Sequence, residues 1–178
     1  MIISSLIIAV IATLLLIAAW HDIAIRLISD TIPLAIAALA IGLRLPQGLL
    51  PTLYSLLTAS AVFAVLLIFA MREWLGGGDV KLAAALALAL PPSLVWDFIT
   101  VTTICGGVLA LPYIAFARLQ TKAPPIRSIS RPERALVATS LISRIARVEE
   151  RRLRRGGPVP YAVAIAVGGT VTLIGTLG

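Results

Sequence analysis

The chain has 178 residues, of which 60% are hydrophobic and 13% charged. Ordinary soluble domains are nearer half apolar and one quarter charged, so a water-soluble fold of this size is excluded: it could not hide so much apolar surface. A lipid bilayer solvates such surface, and one cysteine (Cys105) and one histidine (His21) leave no material for a disulfide or a multi-ligand zinc site, so no metal and no cofactor are expected. The net charge of +7 points to nucleic acid only if it is spread as a binding surface, and it is not.

Taken in chain order, the apolar runs predict an all-α, polytopic membrane protein of about six transmembrane helices, a single membrane domain over 1–178. Residues 2–20 carry no charge and are long enough to cross the hydrocarbon core. A cleaved signal peptide is disfavoured, because no basic residue precedes the run and no small-residue cleavage site follows. A polar stretch, His21 to Thr31, leads to a second span at 32–50, interrupted by Arg44, Pro46 and Gln47. The third span is 52–71. After a polar link, Arg72 to Asp79, comes an Ala- and Leu-rich fourth span at 80–96, which Pro91-Pro92 should end or kink. The fifth is 98–117 and the sixth 159–177, separated by a polar, arginine-rich segment at 118–158.

Charge orients these spans. Eleven of the 15 basic residues lie within 118–155, and cytoplasmic loops are the ones enriched in Lys and Arg. Counting back, the 72–79 and 21–31 links share that side, with Arg26, Arg72 and Lys81, and only Arg44 falls on the other. Both termini are then outside the cytoplasm. Within the basic loop, Ser130-Arg131-Pro132-Glu133 has the pattern of a capping box with proline in the first turn. A helix starting there puts Leu141, Ile142, Ile145 and Val148 on one side and Arg144, Arg147, Arg151 and Arg154 on the other, which suits the interface against anionic lipid. A docking site for an acidic partner is the alternative.

Four aspartates stand at the span ends: Asp22, Asp30, Asp79 and Asp97. Asp30, Asp79 and Asp97 each precede a span and could serve as helix N-caps. Asp22 ends a helix, where the macrodipole opposes a carboxylate, so capping does not account for it. Asp79 follows Gly76-Gly77-Gly78 and precedes Val80-Lys81. Three glycines cost backbone entropy and permit close approach; neither common phosphate-loop pattern is present, and a plain turn is the structural alternative. Two carboxyls on one membrane face suggest an aspartyl dyad, in which the ionised one takes a proton from water and the protonated one donates to a substrate carbonyl.

These residues resemble those of the type IV prepilin peptidases, membrane aspartic proteases with a Gly-x-Gly-Asp motif. Gly76, Gly78 and Asp79 stand at its fixed places, with Gly77 at the variable one and Lys81 following. Asp22 matches the family's first aspartate. The family usually continues to Arg and Ile-Pro-Asn, whereas here Arg26-Leu27-Ile28-Ser29-Asp30 departs from it, leaving Asp30 as an alternative acid. The run Pro158-Val159-Pro160-Tyr161-Ala162-Val163-Ala164-Ile165-Ala166 is similar to the last-span motif of the short Flp/Tad-pilus subgroup. The resemblance covers nearly the whole chain. It implies a cofactor-free endopeptidase of the bacterial inner membrane that removes the basic leader of single-span pilin precursors, after a glycine, at the cytoplasmic face. It implies Asp22 and Asp79 as the catalytic pair, and no nucleic-acid partner. Longer relatives also methylate the new N-terminus through a soluble region with paired cysteines; with one cysteine and a span at its start, this chain is expected not to. Outside the resemblance, a small transporter using Asp22 and Asp79 as ion sites and a non-catalytic assembly subunit are the competing readings.

Overall fold

A computed structural model describes residues 2–25, 28–120 and 161–176, and side chains within these except at 113 and 116–120. The basic segment beyond residue 120, the interfacial helix expected within it and the Pro158–Pro160 part of the last-span motif lie outside the described residues, as do Arg26 and Leu27. The chain divides into two compact units, residues 1–107 with 160–178 and residues 108–159. Of the second unit the described part is the C-terminal portion of one helix, which contains Pro112.

Six α-helices lie among the described residues. They are α1 (Ile2–Ile25), α2 (Thr31–Arg44), α3 (Leu49–Met71), α4 (Gly77–Ala89), α5 (Val95–Gln120) and α6 (Tyr161–Gly175). The described residues contain no strand. Three stretches are long and apolar enough to cross a bilayer unaided, Ile2–Ile25, Leu49–Met71 and Pro92–Pro112; Thr31–Gln47 and Tyr161–Gly175 are shorter apolar helices. The surface is that of a membrane protein. Leu50, Leu57, Val65 and Ile68 of α3 are exposed, and so are Ile3, Leu6 and Leu16 of α1, a display that a soluble chain does not tolerate. Hydroxyls on these helices bond inward. Thr13 donates to the Ala9 carbonyl at 2.8 Å and Thr58 to that of Tyr54 at 2.8 Å, since lipid offers no partner.

The fourth helix is the core. Its Leu82, Leu86, Ala87 and Ala89 are fully buried, and α2, α3 and α6 pack around it. Alanine at most positions allows those neighbours to come close. The helix is shorter than the expected 80–96 span. Leu90 precedes Pro91 and takes an extended conformation (ψ 149°), because a proline's ring excludes the helical region for the residue before it. A 3-10 turn, Pro92–Leu94, follows, and α5 begins at Val95. Asp97 therefore lies inside the first turn of α5 and not at its cap.

The far end of α4 is closed by α2 and α3. Arg44, buried at the end of α2, donates through Nη2 to the Ala89 carbonyl at 2.5 Å and through Nη1 to Gln47 at 3.0 Å. Ser55 of α3 donates to the Leu90 carbonyl at 3.4 Å. The last carbonyls of a helix lack intrahelical partners, and a cation there also answers the helix dipole. This gives Arg44 its reason for being inside an apolar segment.

Candidate active site

The buried face of α1 is a regular stripe: Ile8, Ile11, Leu15, Ala18 and then Asp22. The spacing is helical, and its last member is a carboxylate where an apolar side chain would be the default. Asp22 lies in the last turn of α1 and is 7% exposed. Its Oδ2 accepts a hydrogen bond from the Ala162 backbone N–H at 3.2 Å. Ala162 is the second residue of α6, so this N–H is one of the four that an α-helix leaves unpaired at its start. The expectation that capping cannot account for Asp22 is thus corrected: it opposes the dipole of its own helix but caps the N-terminus of a neighbouring one.

Asp79 is the third residue of α4 and is 8% exposed. Gly76 is the N-cap, extended at φ −69° and ψ 140°, and its carbonyl accepts the first bond of the helix from the Val80 N–H at 3.2 Å. A side chain at the cap would meet the Asp79 carboxylate directly: a Cβ on Gly76 would sit 3.0 Å from Asp79 Oδ2. A Cβ on Gly78 would sit 3.0 Å from the Cβ of Ile28, in the link after α1, whereas Gly77 has nothing within 4 Å of its added carbon. The pattern Gly-x-Gly-Asp so has a steric basis. The first glycine puts no side chain against the Asp79 carboxylate, the second lets the α1–α2 link lie against α4, and the middle position is open. Gly76 and Gly77 are exposed, so the helix start faces outward.

The two aspartates face one seam. A Cβ on Gly169 of α6 would lie 2.7 Å from Leu86 Cδ1 of α4 and 3.3 Å from Leu15 Cδ1 of α1, which makes Gly169 the point where the three helices meet. Asp22 is seven residues beyond Leu15, Asp79 seven before Leu86 and Ala162 seven before Gly169. Seven residues are two turns, a rise of about 10.5 Å with the side chain returning to within about 20° of the same face. The Ala162–Asp22 bond and the Gly78–Ile28 approach show that all three displacements run toward the same end. Asp22, Asp79 and the start of α6 therefore share one level of the α1–α4–α6 seam, at its open end.

The other candidates sit apart. Asp30 stands at the N-cap of α2, but its side chain makes no capping bond. It pairs instead with Lys81, whose Nζ lies 2.7 Å from Oδ1. Lys81 is two residues from Asp79, about 200° around α4, so neither Lys81 nor Asp30 belongs to the seam. Asp97 is exposed at the opposite end of the molecule, where α5 begins. Among the described residues no cluster of three His, Cys, Asp or Glu side chains forms a metal site.

Sequence reasoning missed three features. The α6 N–H that Asp22 binds has no local signal. Arg44 as the cap of α4 could have been suspected from a lone buried-type cation near Pro46. The tryptophans carried the clearest unread signal: Trp20 and Trp74 are exposed near the Asp22–Gly76 end and Trp96 near the other, as indoles gather at the two faces of a bilayer.

Residues 9–111, more than half of the chain, match the family model of the type IV leader peptidases. A search of curated proteins found no match, and a search of solved structures found none. The matched stretch runs from the stripe of α1 through the Gly-x-Gly-Asp turn into α5, and with it the chain belongs to the type IV leader peptidase family, as a helical membrane protein with the general activity of an aspartic peptidase.

Proposed function

We propose that the protein is a prepilin peptidase that removes the basic leader from Flp-type pilin precursors, with Asp22 and Asp79 as its catalytic dyad. The observation that carries the reading is that these two buried carboxyls stand at one level beside the start of α6, with a glycine where a side chain would press on Asp79. One carboxylate takes a proton from water as the water oxygen attacks the scissile carbonyl carbon. The other, protonated, gives its proton to the carbonyl oxygen. The tetrahedral species collapses as the peptide nitrogen is protonated and leaves. No step needs a metal or cofactor. A substrate that is itself a single apolar helix would reach the site from within the bilayer, its extended leader crossing the exposed Gly76-Gly77 edge.

The distribution of basic residues supports a bacterial inner-membrane location with this end of the seam in the cytoplasm. The run Pro158–Ala166 supports the Flp-type subgroup. Methyl transfer is not part of the reading, because these 178 residues carry one cysteine and so no paired-cysteine region. Coexpression with the host's pilin precursors, followed by mass spectrometry of their N-termini, tests the proposal. The expected result is cleavage of at least one precursor by the wild-type chain and of none by Asp22→Asn or Asp79→Asn at matched membrane levels. Uncut precursors throughout would overturn it. A reporter fused after Gly178 that reads cytoplasmic would overturn the orientation.

A further inference from the structure

The face of α4 turned away from Asp79 borders a cavity of about 500 Å³. Its walls are Pro33 and Ala37 of α2, Ala59 and Phe63 of α3, and Ala85 and Leu88 of α4, and Asp30 and Lys81 stand at its mouth. The lining recurs at helical spacing on each element, so the cavity is a trough about 10 Å long, two turns deep along the helix axes. Small side chains give it depth, and exposed Leu34 and Ser60 at its border leave it open to the bilayer. The mouth lies at the end marked by exposed Trp20 and Trp74, the depth of lipid headgroups.

We propose that this trough holds an acyl chain of a phospholipid whose headgroup carries a primary ammonium, with the phosphate on Lys81 and the ammonium on Asp30. The Lys81–Asp30 bond uses one of three ammonium N–H donors and one carboxylate oxygen. Both side chains are open, at 48% and 73% exposure, so further donors and the second oxygen face outward. Among the described lining residues the two charges, Asp30 and Lys81, balance. An anionic headgroup meets Asp30 as well as Lys81 and gains little. A phosphate followed by an ammonium alternates with the two side chains and closes a ring of four charges, each hydrogen-bonded to opposite neighbours. A trimethylammonium has the same charge but no N–H to give. A partner's membrane helix fits less well, since a span of about 20 residues far exceeds a two-turn trough.

The test is lipid retention by the purified full-length chain. Nanodiscs with equal ethanolamine, choline and glycerol phospholipids are exchanged into detergent, and bound lipid is counted by native mass spectrometry. The ethanolamine lipid should exceed each of the others by roughly tenfold, the preference that one charge-assisted hydrogen bond confers. Lys81→Gln and Asp30→Asn should each erase the preference with the thermal transition unchanged, because both residues are exposed. Ala85→Leu, which fills the trough, should lower retention of all three lipids. Glycerol lipid retained as well as ethanolamine lipid would overturn the proposal. So would an undiminished preference in Asp30→Asn, or a photo-cross-linker at Ala85 that captures protein in place of lipid.

Discussion

The two ends of α4 are built on opposite plans. At its C-terminal end the orphan carbonyls of Ala89 and Leu90 are taken up by Arg44 and Ser55, and Gln47 holds the guanidinium in place. At its N-terminal end the cap is a glycine with no side chain to offer, although Ser, Thr, Asp or Asn would cap better. The helix is thus closed by side chains of its neighbours at one end and begins on a glycine cap with a buried first-turn carboxylate at the other. The contrast separates residues that hold the fold from those to which the proposed function assigns chemistry.

The sharpest way to break that contrast is at the bare end. Asp22→Asn and Asp79→Asn should each reduce precursor processing by at least about 10²-fold, the usual contribution of a positioned acid or base. Asparagine keeps an oxygen that can accept the Ala162 N–H, so α6 stays capped and the protein should remain folded, as judged by its thermal transition in detergent. A variant that both unfolds and loses activity would move Asp22 to the structural side of the comparison.

Arg44→Ala attacks the secured end. It leaves the buried Ala89 carbonyl without its partner, which costs about 1–3 kcal/mol. The melting temperature should fall, and residual processing by the folded fraction should stay near wild type. If activity falls without any change in melting, the two ends are not separable as described.

The glycines sharpen the picture further. Gly77→Ala should keep activity, since its added carbon meets nothing within 4 Å. Gly76→Ala should lower processing with little change in stability, by pressing on the Asp79 carboxylate. Gly78→Ala should lower both, because Ile28 must shift. Equal effects at all three positions would remove the steric account of the motif. The smallest effects belong to Asp30→Asn and Asp97→Asn. Exposed ion pairs contribute up to about 1 kcal/mol, and a first-turn carboxylate about 0.3–1 kcal/mol. Processing by either variant should be close to wild type. A dead Asp30→Asn beside an active Asp22→Asn would transfer the dyad to Asp30.

The sequence made some of this legible for physical reasons. Spans such as α1 and α3 are read from length and apolarity alone, because lipid imposes both. The stripe Ile8, Ile11, Leu15, Ala18 that leads to Asp22 emerges only from burial, because residues 2–20 are apolar on every face. The fourth helix was harder. A helix buried on all sides is apolar all round, so it has no period, and Ala-Leu repeats announce no end. Its last residue is Ala89, two positions before Pro91, because Leu90 precedes a proline. The pairing of Asp30 with Lys81 and the bond from Ala162 to Asp22 join residues 51 and 140 positions apart. Neither has a local signature, and both changed the reading of a residue that looked like a simple cap or an uncapped end.

The shortness of α4 carries a further consequence. Thirteen residues rise about 20 Å, whereas the hydrocarbon slab is about 30 Å thick. The mismatch of about 10 Å must be made up beyond one of its ends. Arg44, the proline pair and a 3-10 turn fill the distal side with protein. The proximal side ends in exposed glycines. Under the proposed function, thinning of the apolar slab on that side would let a hydrolytic water meet a substrate embedded in lipid without a pore through the protein.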